Sequence, residues 1–465
     1  MRYSLLAILF SFTISAKAQS SPFFELSYGT AGSDFTRGIV QTPDSFLFVG
    51  GYSIDTATSK SYYTLRKLKP NGDLIWMRSF GDPLFNDNAL GMFMARNGEL
   101  IMWGERELAS SNSVGFVSRL DTSGNLIQTI DVNPSFGNLS LKSGTQLLDS
   151  SYVFAGFCSG SSANEIVIFR CDQFLNPLTQ FSESAGTNAY GQGVVALPDT
   201  GYAVVADFNN GSDYDLWLTR YDRGNVAMWT NTYGDTLQNG SQGILFTADN
   251  HFVIFGETEI FNFSLFDFFL HKIDMNGNSL WSRTCGGANS DAAFSLLETW
   301  NGFIGTGYSN SFQPGPIGPV VFRTDTAGSL LWAHQYGATS IGLGYQIIHS
   351  LNNGYYITGN QQIESDDQCY LLHVDDGGWL GMNEQYPLQP MVDVFPNPST
   401  GDFQIRSLNA DLISYAVYSA QGQLLVDEAC NQTQREIQLE LAPGMYILQI
   451  VTENGITSRK LMIEN

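Results

Sequence analysis

Short apolar runs that close on a small residue recur along most of the chain. They are FLFVGGY at Phe46 to Tyr52, LIMWGE at Leu100 to Glu105, YVFAGF at Tyr152 to Phe157 and YAVVAD at Tyr202 to Asp207. FVIFGE at Phe252 to Glu257, FIGTGY at Phe303 to Tyr308 and YYITGN at Tyr355 to Asn360 complete the set. Each run is apolar on consecutive positions instead of alternating, which predicts strands buried on both faces. Taking Gly50, Gly104, Gly156, Ala206, Gly256, Gly307 and Gly359 as the closing positions, the steps are 54, 52, 50, 50, 51 and 52 residues. A period this constant marks a repeat architecture.

Other features keep phase with the runs. Asx-Gly turns follow the next strand at Asn71-Gly72, Asp121 to Gly124, Asp222 to Gly224, Asp274 to Gly277, Asp325 to Gly328 and Asp375 to Gly378. Such turns accept the positive φ that tight hairpins require. Tryptophan follows at Trp76, Trp229, Trp281 and Trp332, and slightly early at Trp379; a glycine such as Gly29, Gly81, Gly234 or Gly286 opens each copy. The third copy is the most degenerate, with Leu175-Asn176-Pro177 in place of the turn. Each copy therefore reads as four short strands. Radial stacking of four-stranded sheets buries both faces of such strands, whereas the coils of a β-solenoid repeat at roughly half this period or less.

The predicted fold is all-β: a seven-bladed propeller followed by a small C-terminal β-sandwich. The N-terminal run Phe24 to Gly29 echoes Trp332 to Gly337 and is expected to complete the last blade; the run at Trp379 competes for that place and leaves an eight-bladed or open arrangement as the alternative. The turns between first and second strands are uniformly short, as at Pro43-Asp44-Ser45 and Arg96-Asn97-Gly98. Those between second and third strands vary, as at Ser53 to Ser61, Glu257 to Phe266 and Ser309 to Pro319. Variable loops on a rigid scaffold are where binding usually sits, so a ligand site is expected on that face, near the axis.

Composition changes the picture in two ways. The 465 residues hold 22 Lys+Arg against 45 Asp+Glu, a net charge of −23, which leaves no basic excess for a nucleic-acid partner. The 47 glycines and 43% hydrophobic residues suit short strands and tight turns around a substantial core. Met1-Arg2, the apolar stretch Leu5 to Ile14 and Ala16-Lys17-Ala18 read as a leader cleaved before Gln19. No later stretch is long enough for a transmembrane helix. The five cysteines, Cys158, Cys171, Cys285, Cys369 and Cys430, follow no disulfide or metal spacing and read as buried apolar residues, with export leaving room for one incidental pair. The expected organisation is a signal peptide at 1–18, a propeller at 19–383, a linker at 384–392 and a second domain at 393–465.

That second domain begins with Val394-Phe395-Pro396-Asn397-Pro398-Ser399-Thr400-Gly401. It continues through Tyr418-Ser419-Ala420-Gln421-Gly422-Gln423-Leu424 and Leu441-Ala442-Pro443-Gly444-Met445-Tyr446-Ile447, and ends on Lys460-Leu461-Met462-Ile463. In order and spacing these blocks closely resemble the type A C-terminal sorting domain of the type IX secretion system of Bacteroidota. The resemblance assigns Pro396, Asn397, Pro398, Gly401, Gly422, Gly444, Tyr446 and Lys460 to the sorting motif. With the leader, it implies Sec export, then passage through the outer membrane by the type IX machinery, with release or attachment at the cell surface. The repeats more loosely resemble exported bacterial propeller proteins, a similarity that implies no defined activity.

Chemistry is sparse. HExxH, GxSxG, P-loop and dinucleotide motifs are absent, as are sialidase-type turn boxes. His271 and His373 take equivalent positions in two copies, which speaks for a structural role. Asp274-Met275-Asn276-Gly277-Asn278 has a calcium-loop flavour but lacks the distant bidentate Glu, so it reads as a hairpin turn; no cofactor is predicted, with calcium the one candidate. Asp366-Asp367 is a carboxylate pair of the kind glycoside cleavage uses, and equally ordinary loop charge. Asp55-Thr56-Ala57, Asp235-Thr236-Leu237 and Asp325-Thr326-Ala327 resemble O-glycosylation sites of the same bacterial group. Phe261 and Phe263 form a candidate binding loop for sugar or protein. No catalytic or metal-ligating set stands out, and the reading leans away from an enzyme. The expectation is a monomeric, exported propeller that binds a glycan or a protein. The alternatives are a carbohydrate-active hydrolase or lyase with carboxylates on the variable face, and a structural surface component.

Overall fold

The structure, a computed structural model, describes residues 23–465 apart from 109–111, 135, 161–162, 185–187, 235–237, 261–264, 314, 338–339, 352, 381–391, 396, 398, 408–410, 420–422, 433, 440, 453–454 and 464–465. Ala16, Ala18 and Gln19 of the leader, Phe261 and Phe263 of the candidate loop, and Pro396, Pro398 and Gly422 of the sorting motif lie outside the described residues. The chain divides into two compact units, Met1–Gly381 and Met382–Asn465.

The first unit is seven four-stranded antiparallel sheets, each built from consecutive strands A to D except the last. The A strands are Asp34–Gln41, Asp87–Met94, Asn138–Gln146, Ala189–Ala196, Asn239–Phe246, Asp291–Thr299 and Gly342–His349. Neighbouring A strands touch around a ring, so they line the axis. The B strands, such as Leu47–Ile54 and Leu100–Glu107, are buried over five successive residues, as their unbroken apolar runs predict.

The ring closes through the N-terminus. Phe24–Tyr28 is the outer strand of the seventh sheet, antiparallel to Asp366–Val374 with Phe24 opposite His373 and Tyr28 opposite Cys369. Trp379 is not in a strand; its amide is held by Asp375 Oδ1 at 2.8 Å in the turn that ends the seventh blade. The propeller therefore has seven blades.

Every A strand carries a β-bulge at the same place, at Arg37, Leu90, Lys142, Gln192, Gln242, Phe294 and Tyr345. Each bulge brings a carbonyl of the A strand over the B strand. A Cβ on Gly51, Gly104, Gly156, Gly256, Gly307 or Gly359 would lie only 1.8–2.0 Å from that oxygen. The recurring glycine is thus imposed by the bulge. This register corrects one position read from the sequence: Gly51, opposite Thr36, and not Gly50, is the equivalent of Gly104.

One consequence is testable within a single blade. Gly256→Ala places its methyl 2.0 Å from the Gly240 carbonyl, whereas a Cβ at Gly240 would meet nothing closer than 3.6 Å. The first substitution is expected to cost about 3 kcal/mol and Gly240→Ala less than about 1 kcal/mol. Equal urea midpoints for the two variants would show that the bulge does not dictate the glycine.

A second recurring pair joins blades. Trp76, Trp229, Trp281 and Trp332 on the outer strands lie over Gly124, Gly277, Gly328 and Gly378 in the turn of the following blade. Those glycines have φ between +78° and +85°, so the turn needs the conformation and the indole needs the missing side chain. Where the preceding blade has no tryptophan, the turn carries a side chain: buried Leu175 at φ +60° in the third blade and Asn225 at +66° in the fourth. In the fourth blade the positive φ thus falls on Asn225, one residue after the Gly224 of the sequence pattern. At the closure, Leu26 and Phe24 of the N-terminal strand cover Gly72 as tryptophans do elsewhere.

The second unit has two antiparallel sheets. Val392–Phe395, Asp402–Ser407 and Gln434–Gln438 form one, and Leu412–Ser419, Leu424–Gln432, Gly444–Thr452 and Gly455–Ile463 the other. Phe403, Ile405 and Ile437 of the first pack with Tyr415, Val417, Leu448, Ile450 and Leu461 of the second in a common core. Asn397 Oδ1 accepts the Met462 amide at 2.9 Å, and the Tyr446 hydroxyl donates to the Ala442 carbonyl at 2.7 Å. Gly401, at φ +109°, follows the buried Ser399, and Lys460 pairs with Ile447 in the last strand. Among the described residues of the whole chain there is no helix.

Candidate functional site

Six of the seven bulge residues, Arg37, Leu90, Lys142, Gln242, Phe294 and Tyr345, line one cavity on the axis of about 290 Å³. The bulge explains their convergence. An extra residue in an inner strand breaks the pleat and turns its side chain toward the axis. Gln192, the seventh, is drawn aside by its hydrogen bond to Asp207 Oδ2 at 3.0 Å. Beyond the bulges the wall is thin. Gly91 and Gly243 leave the rings of Trp103 and Phe255 directly behind them, where a Cβ would lie 2.1 and 2.4 Å from the rings. Both rings help to line the cavity.

One side of the cavity is aromatic. The Arg37 guanidinium carbon sits 3.8 Å from the Tyr345 ring centre, and 5.8 and 5.7 Å from those of Phe35 and Tyr52. Phe294 stacks on Tyr345 at 5.5 Å and 11°, and meets Tyr308 edge-on at 5.6 Å. The next rung, toward the variable loops, is set by the residue after each B-strand glycine: Tyr52, Glu105, Phe157, Asp207 in the Ala206 copy, Glu257, Tyr308 and Asn360.

Burial dominates the electrostatics of this rung. It pushes the Asp207 carboxyl up to about 6, against the bonds from the Ser241 amide and hydroxyl at 2.7 and 2.6 Å and from Gln192. Burial also raises Glu257, which accepts from the Tyr308 hydroxyl at 3.2 Å. Lys142 is pulled below the usual ammonium range by burial, with the Glu105 charge opposing that shift.

The residues singled out in the sequence fall elsewhere. His271 Nε2 is 2.8 Å from Ser279 Oγ and His373 Nε2 is 3.1 Å from the Asn353 carbonyl; burial lowers His271 to about 4. Asp274 receives the Asn276 and Asn278 amides and the Asn278 side chain, so both its oxygens serve the turn. Asp55 and Asp325 accept amides within their own turns in the same manner. Asp366 and Asp367 open the third strand of the seventh blade. Phe268 and Phe269 are core residues. The cysteines are free thiols. Among the described residues no group of three or more His, Cys, Asp or Glu could hold a metal ion.

The bulge residues escaped sequence reading because their types differ in every copy. A positional signal exists: each precedes the B-strand glycine or alanine by 14 residues, as Leu90 does Gly104, or by 13 in the sixth blade.

A second carboxylate pair lies outside the cavity. Burial, with Asp291 close by, pushes Asp267 up to about 6. A carboxyl whose folded value is raised contributes stability that is fully present below its unfolded value and is lost as pH rises through the folded one. Asp267→Asn is therefore expected to stabilise the protein by about 1–2 kcal/mol at pH 7.5, discounted for partial exposure, and by nothing at pH 4. Urea titrations at both pH values test this; a gain independent of pH would contradict it.

The comparisons bear on fold and destination. A WD40 β-propeller domain of Doa1 is 10% identical at a TM-score of 0.47, covering 77% of this chain and 99% of that one. The polysaccharide lyase Uly1 is 11% identical at 0.49, covering 78% and 94%. PorZ, an essential bacterial surface component of the type-IX secretion system of Porphyromonas gingivalis, is 10% identical at 0.36, covering 93% and 70%. Likenesses this distant say nothing of what the chain binds or does. No curated protein matches it. Among the described residues no helix is long and apolar enough to cross a membrane. Residues 393–464 match the secretion system C-terminal sorting domain, so this is a β-propeller protein with a type IX sorting tail, exported to the cell surface or secreted.

Proposed function

We propose that the propeller is a non-catalytic binding platform whose axial cavity takes a glycan. The observation that carries the reading is the aromatic side of that cavity, Tyr345 stacked with Phe294 and flanked by Tyr52 and Tyr308. Sugar rings lay their apolar C–H faces on such rings, while amides and carboxylates nearby take up their hydroxyls. Gln242 and Gln346 on the wall, with Glu105 and Glu257 one rung out, supply those groups. In this reading the leader ending at Ala18 delivers the chain to the periplasm of a bacterium of the Bacteroidota, and the tail carries it outward.

A hydrolase or lyase is the second reading. It is favoured by two carboxyls, Asp207 and Glu257, that burial raises at equivalent places in adjacent blades. Asp207, however, is 8% exposed and its oxygens are committed to Ser241 and Gln192, a joint between the fourth and fifth blades. A group so held is poorly placed to trade protons with a substrate.

The test is the mature protein on a glycan array, with each hit incubated and followed by mass spectrometry. Binding without product is expected. Turnover would replace this reading with the enzymatic one, and silence across the array would contradict both.

A further inference from the structure

We infer that the axial cavity is an anion site, entered by a carboxylate, sulfate or phosphate group of the ligand. The inference rests on the reading of the axial cavity as the binding site and narrows it to acidic ligands.

The chain holds 22 basic against 45 acidic side chains, yet two of the six bulge residues in the cavity are cations. The residues lining the cavity include Arg37 and Lys142 and no carboxylate. Elsewhere most of the propeller's buried cations have a carboxylate partner, whereas Arg323, 7% exposed, is held by the neutral oxygens of Thr299, Asn301 and Tyr355. Arg66 bonds Asp34, Arg106 bonds Asp87, Arg119 bonds Glu99, Arg170 bonds Asp149 and Lys272 bonds Asp249. Arg37 and Lys142 form no ion pair among the described residues.

Sheltering a cation without a counter-ion is costly, and Arg37 and Lys142 lack the set of neutral acceptors that Arg323 has, so what offsets that cost calls for a reason. Cation–π contact is part of it. For Arg37 the Tyr345 ring supplies it at 3.8 Å. Lys142 has only the Phe157 ring at 5.5 Å. The charged groups around the two cations are Glu105, whose charge acts on Lys142, and Asp367, which feels that of Arg37. Neither carboxylate lines the cavity.

Neutral donors point the same way. Trp103 Nε1 is buried on the cavity wall with no hydrogen-bond partner among the described residues. The Gln346 carboxamide oxygen accepts the Ile39 amide at 2.6 Å, so what this side chain has left to offer is its NH₂. The volume, about 290 Å³, is at the low end of ligand pockets and admits one terminal residue of a chain. An acidic sugar unit seated end-on would lie against the aromatic side formed by Phe294 and Tyr345 and place its charge between Arg37 and Lys142.

The test uses the mature protein, oligogalacturonate, its carboxyl-reduced neutral counterpart and inorganic sulfate. Calorimetry is expected to show the acidic oligosaccharide binding at least tenfold more tightly than the reduced one. Millimolar sulfate at constant ionic strength is expected to raise the melting temperature of the wild type but not that of the Arg37→Gln/Lys142→Gln variant. Arg37→Lys, which keeps the charge, is expected to retain the response and guards against a folding defect. Reduced and acidic forms binding equally would overturn the anion site and leave the glycan reading. A wild-type-only sulfate response with no oligosaccharide bound would support the anion site and count against the glycan. A sulfate response equal in wild type and charge-removed variant would overturn the site as non-specific, and no response to any of the three would overturn both.

Discussion

A chain that begins at Gly29, lacking the strand Phe24–Tyr28, is expected to lose more than about 5 kcal/mol of stability, beyond the range of single substitutions. The strand is only five residues long, but three roles end with it. The third strand of the seventh blade loses its outer partner along Cys369 to His373. Glu25 Oε1, which accepts the Gly337 amide and the Tyr370 hydroxyl at 3.0 Å each, is gone, leaving a fully buried tyrosine without its acceptor. Leu26 and Phe24 no longer cover Gly72, so the seventh and first blades lose the contact that tryptophans make elsewhere. Urea unfolding of the truncated and mature chains measures the effect. Addition of a synthetic peptide spanning Phe23 to Gly29 is expected to restore part of the loss. An unchanged midpoint would mean that the ring closes some other way.

Arg66→Met is expected to cost about 3–5 kcal/mol, the usual result of removing one member of a buried ion pair. Arg66 is 1% exposed and Asp34 is fully buried; the guanidinium bonds the carboxylate and the Thr64 hydroxyl. The carboxylate also holds the Thr30 amide and the Ser53 hydroxyl, so this one pair ties together the A, B and C strands of the first blade and the loop leading from the closure. Without Arg66 the Asp34 charge has no counter-ion in a dry site and should bind a proton more readily. The defect is then expected to shrink as pH falls toward 4, and Asp34→Asn in the Arg66→Met background is expected to recover part of it at pH 7. A defect equal at pH 4 and pH 7.5 would show that lost packing, not stranded charge, is the cause.

The architecture was legible because the residues that fix it are locally redundant. Seven apolar runs, six Asx-Gly turns and recurring tryptophans all report one period, and degeneration in the third copy does not hide it. The echo between Phe24 to Gly29 and Trp332 to Gly337 identified the closing strand, since both occupy outer strands of the same kind. Even the reason for Asx-Gly beside Trp is a packing rule between successive blades, and Leu175 and Asn225 stand where the tryptophan is missing.

The site was illegible for the complementary reason. Its members, Arg37, Leu90, Lys142, Gln242, Phe294 and Tyr345, share a backbone irregularity and no chemistry, and they stand about 50 residues apart. A bulge shifts the register by one, so an alternating pattern read through it assigns these side chains to the wrong face. The variable loops drew attention instead, and with them Phe261 and Phe263. The calcium flavour of Asp274 to Asn278 arises because an Asx turn and a calcium loop begin with the same spacing of oxygens, and both Asp274 oxygens serve that turn.

The most direct measurement is a crystal structure of the mature protein with the tightest array ligand. The account predicts the ligand on the propeller axis, a sugar ring against Tyr345 and an acidic group within hydrogen-bonding distance of Arg37 and Lys142. A ligand seated on the outer loops or the outer strands, with the axial cavity unchanged, would contradict it.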